Sequence, residues 1–287
     1  MMPYDEKFFR SRDGLQLFYR DYPGDPDKAP VLCLHGLTRN SRDFEKLALR
    51  IAPTRRVITP DIRGRGRSQR DPNWLNYRPG VYVDDVSTLL HEAALERVVV
   101  IGTSLGGLIA MLLAAARPQS LAGVVLNDVG PELDPVGVAR IQSYVGRLPP
   151  ANNWQDAVAQ MKLMFAAALP DYSDAQWLEF ARTCFSEDGE GVPRLMADPR
   201  IGDAVRAIPA PPGAVQAMWL AFGALRGLPT LALRGEHSDL LSAQTFERMQ
   251  REHPQMTAVT VPNRGHAPQL DEPHSVAAIE RFLATCA

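Results

Sequence analysis

A serine between two glycines is the first candidate for chemistry in this sequence: Gly102, Ser104 and Gly106 form the pattern Gly-x-Ser-x-Gly. The β-branched run 98–101 before it predicts a strand buried on both faces, and the apolar segment 108–117 after it predicts a packed helix. A chain that passes from strand to helix in so few residues strains the backbone of its central residue, and the small glycines leave room for the turn. The pattern therefore predicts a nucleophilic Ser104 at a helix N-terminus, where free N–H groups suit an oxyanion.

A serine hydroxyl is a weak nucleophile and needs a neighbouring base. Of the six histidines, His266 is the best placed, because it lies in a glycine-containing loop directly after the last predicted strand. Loops at that edge of the sheet face the serine. His35 follows a short buried strand, and we expect it to shape the loop that contains Gly36. The other four histidines are expected to be surface, capping or structural residues.

The base needs an acid that orients it, and three carboxylates are candidates. Asp239 lies in the loop after the preceding strand, so that serine, acid and histidine follow one another along the chain. Asp128 follows the strand after the serine and is the alternative, and Glu236 is a weaker third candidate. Asp239 could instead cap the helix that begins near Ser242. We favour Asp239 as the acid.

The oxyanion needs two donors. One is the backbone N–H of Leu105, directly after the nucleophile, and the other is the N–H of Leu37, which Gly36 allows to approach the site. Arg39 lies beside this loop and could bind a substrate carboxylate, but a structural ion pair is the favoured interpretation. In the glycine-containing turn 61–68, we expect the arginines to be solvated.

Strands and helices alternate along both ends of the chain, which predicts an α/β fold with a mostly parallel sheet and helices on both faces. Residues 1–130 and 227–287 are expected to form this core. Residues 131–226, which contain three of the four tryptophans and many prolines, predict a helical cap above the carboxyl ends of the strands. No strand is expected in the cap. We expect its large apolar side chains to pack the cap, and some of them to roof the pocket; they are Met161, Met164, Phe165, Trp177, Phe180, Phe185, Trp219 and Phe222.

Composition narrows the class of protein. The chain has 287 residues and a net charge of -2, so nothing in its charge indicates a nucleic acid or a membrane surface as partner. Three widely spaced cysteines indicate a reducing compartment, and the N-terminus that begins Met1-Met2 is too polar for a signal peptide. We therefore expect a cytoplasmic protein with no cofactor and no metal. The sequence does not predict an oligomeric state.

Together these residues resemble the α/β-hydrolase superfamily. The resemblance rests on five motifs: His35-Gly36, the turn 61–68, Gly102-Thr103-Ser104-Leu105-Gly106-Gly107, Ser238-Asp239 and Gly265-His266. It implies an eight-stranded sheet, a helical cap and a serine hydrolase with the triad Ser104, Asp239 and His266. Serine at position 104 speaks against the related epoxide hydrolases and haloalkane dehalogenases, which have aspartate there.

The expected function is hydrolysis of a small, largely apolar carboxylic ester or lactone through an acyl-enzyme. One alternative is a carbon–carbon bond hydrolase of meta-cleavage-type diketones that uses the same site. Another is a ligand receptor that keeps the triad but turns over slowly. The sequence does not identify the physiological substrate.

Overall fold

An eight-stranded sheet forms the centre of the computed structural model, which describes residues 3–208 and 210–286. The described residues leave out Met1, Met2, Pro209 and Ala287. The expectation that the N-terminus is too polar for a signal peptide concerns a segment that begins at these first two residues, and it stays a prediction. The strands follow the order β1-β2-β4-β3-β5-β6-β9-β10. Their bounds are β1 Asp5–Arg10, β2 Gln16–Tyr22, β3 Val31–Leu34, β4 Val57–Pro60, β5 Val98–Thr103, β6 Leu121–Asn127, β9 Thr230–Gly235 and β10 Thr257–Val261. Of these eight strands, β2 runs antiparallel to the others, so the expectation of a mostly parallel sheet is confirmed.

Both faces of the sheet are covered by helices. The side chains of a strand alternate between its faces, and in this sheet both faces carry apolar side chains that need cover. In β5, Val98 and Val100 belong to one hydrophobic cluster, whereas Val99 and Ile101 belong to the cluster on the opposite face. The helices outside the inserted block are α1 Glu45–Ile51, α2 Pro79–Glu92, α3 Leu105–Ala116, α9 Ala243–Glu252 and α10 Pro273–Thr285. Helices α2, α3 and α9 pack on the first face, and α1 and α10 pack on the second.

The block inserted between β6 and β9 contains five α-helices and one small hairpin within the residues that the structure describes. The helices are α4 Pro135–Tyr144, α5 Trp154–Phe165, α6 Asp174–Cys184, α7 Arg200–Ala207 and α8 Ala214–Gly223, and the hairpin strands are β7 Phe185–Glu187 and β8 Pro193–Leu195. The expectation of no strand in the cap was wrong. Each strand has only three residues, too few to give an alternating pattern.

Two parts of the insertion have different packing partners. Helices α5 and α6 share a separate hydrophobic cluster that contains Met161, Trp177 and Phe180. Helix α8 packs against α3 instead, and its Phe222 lies in the hydrophobic cluster of the core. Helix α8 thus packs beside the core, and the limits of the cap at residues 131 and 226 stay a prediction.

Backbone hydrogen bonds join the cap to the core at three places besides the chain connections, and one of them lies between α5 and α6, where the N–H of Gly265 donates to the carbonyl oxygen of Ala168 at 2.9 Å. Near α4, the N–H of Gly137 donates to the carbonyl oxygen of Asp239 at 3.0 Å, and the N–H of Asp134 donates to that of Leu240. Near β8, the N–H of Gly66 donates to the carbonyl oxygen of Met196 at 2.7 Å. We call these the α4 anchor and the β8 anchor. Within the described residues, no helix is both long and apolar enough to cross a lipid bilayer.

Two of the three arginines of the turn 61–68, Arg63 and Arg65, are not solvated as expected, whereas Arg67 is exposed. Arg63 is 2% exposed, and its guanidinium donates to Asp13, Asp71 and Asp85 at distances of 2.5 to 3.0 Å. Arg65 is 1% exposed. A buried guanidinium requires carboxylate or carbonyl partners, and most of these partners come from other segments of the chain. The turn is therefore an internal structural unit.

Candidate active site

Ser104 lies between the end of β5 and the start of α3, with a backbone φ of 52° and ψ of -114°. This left-handed conformation is rare for a residue with a side chain, and it is the strain that the glycine pattern predicts. A Cβ on Gly106 would clash with the carbonyl oxygen of Leu34, and one on Gly102 would clash with the backbone of Gly106. Both glycines are therefore required by space, and the turn presents the Ser104 side chain at the edge of the sheet.

The imidazole of His266 bridges Ser104 and a buried carboxylate. Its Nε2 lies 2.9 Å from Ser104 Oγ, and its Nδ1 lies 2.8 Å from Oδ2 of Asp128. His266 follows β10, and Asp128 follows β6, the neighbour of β5 in the sheet. Three strand ends thus bring the three side chains together. With Nδ1–H donating to the carboxylate, Nε2 is free to accept the serine proton.

Asp128 is fully buried, and each of its carboxylate oxygens has a further donor. The N–H of Gly235 donates to Oδ1 at 2.7 Å, and the hydroxyl of Ser238 donates to Oδ2 at 2.6 Å. A buried carboxylate without such partners is strongly unfavourable. These contacts fix the carboxylate in the orientation that holds His266.

The loop after β3 places backbone N–H groups beside the serine. A Cβ built on Gly36 would lie 3.8 Å from the Cβ of Ser104, so the peptide that carries the N–H of Leu37 runs close to the nucleophile. The N–H of Leu105 belongs to the first residue of α3 and has no partner within its helix. The predicted donors thus belong to the two segments that adjoin Ser104. Their binding of an oxyanion stays a prediction.

His35 orients the peptide between Gly36 and Leu37. Its Nε2 accepts from the N–H of Ile62 at 3.0 Å, so Nδ1 carries the proton and donates to the carbonyl oxygen of Gly36 at 2.8 Å. Burial lowers the pKa of His35 to about 3, so the ring is neutral in this role. The carbonyl of Gly36 and the N–H of Leu37 belong to one planar peptide, so this bond also sets the direction of that N–H.

A small cavity of about 60 Å³ adjoins the serine. Its cap side is formed by Ile141, Tyr144, Val145, Phe165 and Phe180. Two of the aromatic residues expected in the roof, Phe165 and Phe180, therefore lie there. The volume equals roughly two water molecules' share of liquid water. A space of this size suits a small acyl group.

Comparison with known proteins identifies the family. Residues 31–279 match the sequence model of the alpha/beta hydrolase family. The chain belongs to the α/β-hydrolase family.

Two similar proteins cover nearly the whole of this α/β hydrolase. The 3-hydroxybutyrate-oligomer hydrolase of Cupriavidus necator is 35% identical over 268 residues, which cover 91% of this chain and 90% of that protein. A crystal structure of an alpha/beta hydrolase from Novosphingobium aromaticivorans is 45% identical with a TM-score of 0.92 and covers 99% of both chains. The 2-(acetamidomethylene)succinate hydrolase of Mesorhizobium japonicum is 25% identical over 82% of this chain and 81% of its own length. Family and relatives identify the chain as a hydrolase.

The carboxylate that this α/β hydrolase places beside His266 is Asp128, so the prediction of Asp239 as the acid was wrong. Asp239 instead forms a bidentate ion pair with Arg140 of α4, in which Nε and Nη2 of the arginine donate to the two carboxylate oxygens at 2.5 and 2.8 Å. Burial is the largest single effect and acts to raise the pKa of Asp239, but the hydrogen bonds and the charge of Arg140, together with smaller effects, hold that pKa below its ordinary value. Glu236, the third candidate, accepts from the backbone N–H of Asn263. The sequence could not show that the cap would supply Asp239 with a partner.

Asn127 was missed by the sequence analysis and joins two parts of the site. Its side-chain Nδ2 donates to Thr103 Oγ1 at 3.0 Å and to the carbonyl oxygen of Pro268 at 2.8 Å. The backbone carbonyl oxygen of Asn127 accepts from the backbone N–H of Ser104. One buried amide thus links the serine turn to the histidine loop. The sequence does contain a signal for this residue, because Asn127 is a polar residue at the end of an otherwise apolar strand, directly before Asp128.

Arg39 lines the cavity and forms the ion pair that the sequence analysis favoured. Its guanidinium binds the carboxylate of Asp43 with two bonds of 2.6 and 2.8 Å, and it stacks over the ring of Phe180. Burial is the largest single effect and acts to lower the pKa of Arg39, but the charge and hydrogen bonds of Asp43, together with other neighbouring groups, raise it above its ordinary value. Within residues 3–208 and 210–286, no three histidine, cysteine or acidic side chains form a cluster that could hold a metal ion.

Proposed function

We propose that the protein hydrolyses carboxylic esters through an acyl-enzyme formed on Ser104. The observation that carries the proposal is the continuous chain of hydrogen bonds from Ser104 Oγ through His266 to Asp128. A serine, an imidazole and a buried carboxylate in this order perform acyl transfer in many unrelated folds. The serine turn and the helix N-terminus behind it supply the rest of the machinery.

In the proposed reaction, Ser104 Oγ attacks the ester carbonyl while its proton moves to Nε2 of His266. Asp128 stabilises the positive charge of the imidazolium, and the N–H groups of Leu37 and Leu105 bind the oxyanion. The C–O bond to the alcohol then breaks, and the alcohol leaves with the proton from His266. Water, deprotonated by His266, attacks the acyl-enzyme and releases the carboxylic acid and the free serine.

The substrate class we propose is short esters of hydroxy acids. Support comes from the 35% identity, over nearly the full length of both proteins, to a 3-hydroxybutyrate-oligomer hydrolase. Such oligomers are joined by ester bonds between small acyl units. A small acyl unit also suits the cavity of about 60 Å³ at Ser104.

The proposal is tested with p-nitrophenyl butyrate and with the linear dimer of 3-hydroxybutyrate. We expect the wild type to cleave both and the Ser104→Ala variant to cleave neither. The control is Ser143→Ala, an exposed serine of α4, which should keep full activity. Phenylmethylsulfonyl fluoride should label Ser104 alone. Activity in Ser104→Ala, or an enzyme inert towards esters that cleaves vinylogous diketones, would contradict the proposal.

A further inference from the structure

A groove of about 600 Å³ lies between the cap and the core, next to the cavity at Ser104. One wall is α6, and the other is α1 with the short 3₁₀ helix Ser41–Phe44 before it. Arg39, Asp43, Phe180 and Gln269 line both the groove and the cavity, so the two spaces share a wall. The groove is therefore the larger space that adjoins the serine cavity on this side.

The groove has one more cation than it has carboxylates. Five basic and four acidic side chains line it. Three of the basic groups have acidic partners at 2.6 to 2.9 Å: the ion pairs are Arg20–Glu45, Arg39–Asp43 and Lys46–Glu179, and Lys46 also lies 3.4 Å from Asp271. These pairs account for all four carboxylates of the groove.

The two remaining cations are Arg42 and Arg182. Across the part of the chain that the structure describes, neither has a carboxylate within 4.0 Å. Nη1 of Arg42 is positioned by the carbonyl oxygens of Arg182 and Phe185, at 3.2 and 3.4 Å. The guanidinium of Arg182 lies over the ring of Trp154. Both arginines line the groove and have donors left over for an anion, and planar guanidinium matches a carboxylate well.

We propose that Arg42 and Arg182 bind the free carboxylate of a linear hydroxy-acid oligoester, an inference that rests on the proposed ester-hydrolase function. In such a chain one end is a hydroxyl and the other a carboxylate, and the carboxylate end belongs to the alcohol that leaves. The small cavity at Ser104 then holds the acyl unit, and the larger groove holds the leaving unit. The site selects oligomers with a charged end over neutral esters of the same length.

Binding is measured without turnover, in the Ser104→Ala background, by calorimetric titration with two ligands. The ligands are the linear 3-hydroxybutyrate trimer and its methyl ester, which differ only in the charge of the carboxyl end. We expect the acid to bind about tenfold more tightly than the methyl ester, the effect of about one charge-assisted hydrogen-bonded pair. The preference should fall as ionic strength rises.

Adding Arg42→Gln and Arg182→Gln to Ser104→Ala should remove the preference for the acid. Arg182 is exposed, so its substitution should not affect folding, and Arg182→Gln alone serves as a second variant. The matched control is Arg117→Gln, an exposed arginine at the far end of α3 from Ser104, which should retain the preference. Equal binding of acid and ester, no binding of either, or a preference that survives the double substitution overturns the inference. Failure of the wild type to cleave esters would overturn the proposed function instead, because the titration does not depend on turnover.

Discussion

His266 and Asp128 are 138 positions apart in the chain, yet Nδ1 of the histidine lies 2.8 Å from Oδ2 of the aspartate. Asp239, in the loop after the next strand, is turned away from this contact by Arg140. The loops after β6 and β9 therefore each carry a carboxylate near the histidine. Asp128 is buried and binds His266, whereas Asp239 is half-buried and binds Arg140. Activity measurements can separate the two roles.

Asp128→Asn should lower kcat for p-nitrophenyl butyrate by about 10³–10⁴-fold, because an amide does not hold the imidazole in the required tautomer. Asp239→Asn should lower kcat by less than about tenfold, since it changes only the contact with Arg140. The measurement is steady-state kinetics of both purified variants at neutral pH. If Asp239→Asn proved the more damaging change, the assignment of Asp128 as the acid would fail.

Gly106→Ala should lower the free energy of unfolding by about 3 kcal/mol, because the added Cβ meets the backbone of β3 and no flexible side chain can give way. Gly80→Ala in α2 is the matched control. Nothing lies within 4 Å of a Cβ at Gly80, so this change should be neutral or add about 0.5–1 kcal/mol of stability. Urea unfolding of both variants tests this, and equal effects would show that the turn has spare room.

Arg140→Gln should lower the free energy of unfolding by about 1 kcal/mol at pH 7, as expected for a half-buried ion pair that solvent partly screens. The pKa of Asp239 is lowered in the folded state, so the pair adds stability above the ordinary value of 3.8. That contribution is lost as the pH falls through the lower, folded-state pKa. Unfolding curves of wild type and variant should therefore converge at acid pH. If the difference in free energy of unfolding between wild type and variant stays constant down to pH 2, the destabilisation comes from lost packing and not from the ion pair.

Phe165→Ala should shift the preferred acyl chain to greater length. In the wild type we expect kcat/KM to peak at acyl chains of roughly two to six carbons, since each methylene that finds no room loses about 0.8 kcal/mol of burial. Removing an aromatic ring from the roof creates that room. The control is Leu163→Ala on the same helix, whose side chain is 74% exposed. A series of p-nitrophenyl esters measures the profile, and an unchanged optimum in Phe165→Ala would exclude this ring from substrate selection.

Local patterns predicted much of this molecule. The serine turn could be predicted because its requirement for small residues is confined to five consecutive positions, 102–106. His266 could be predicted because it directly follows the last strand. In both cases the physical cause and the sequence signal lie in the same short segment.

Contacts between distant segments could not be predicted in this way. Asp128 and Asp239 occupy similar loops, and the choice between them depends on strand order and on Arg140, which belongs to the cap. The burial of Arg63 likewise depends on Asp13 and Asp85, which lie 50 and 22 positions away. The hairpin of β7 and β8 did have a local signal, the turn residues 188–191, but its strands are too short to alternate.

The α4 anchor and the β8 anchor limit how the cap can move above Ser104. A lid that pivots as one body about its chain connections would break the α4 anchor and the β8 anchor together. The segment between the anchors contains α5 and α6, which carry Phe165 and Phe180 over the nucleophile. The hydrogen bond from Gly265 to Ala168 also holds the loop between these two helices, so entry depends on their aromatic rings changing position over Ser104. Residues far from the triad that tighten or loosen this segment then act on the rate of product release, while the chemistry at Ser104 stays the same.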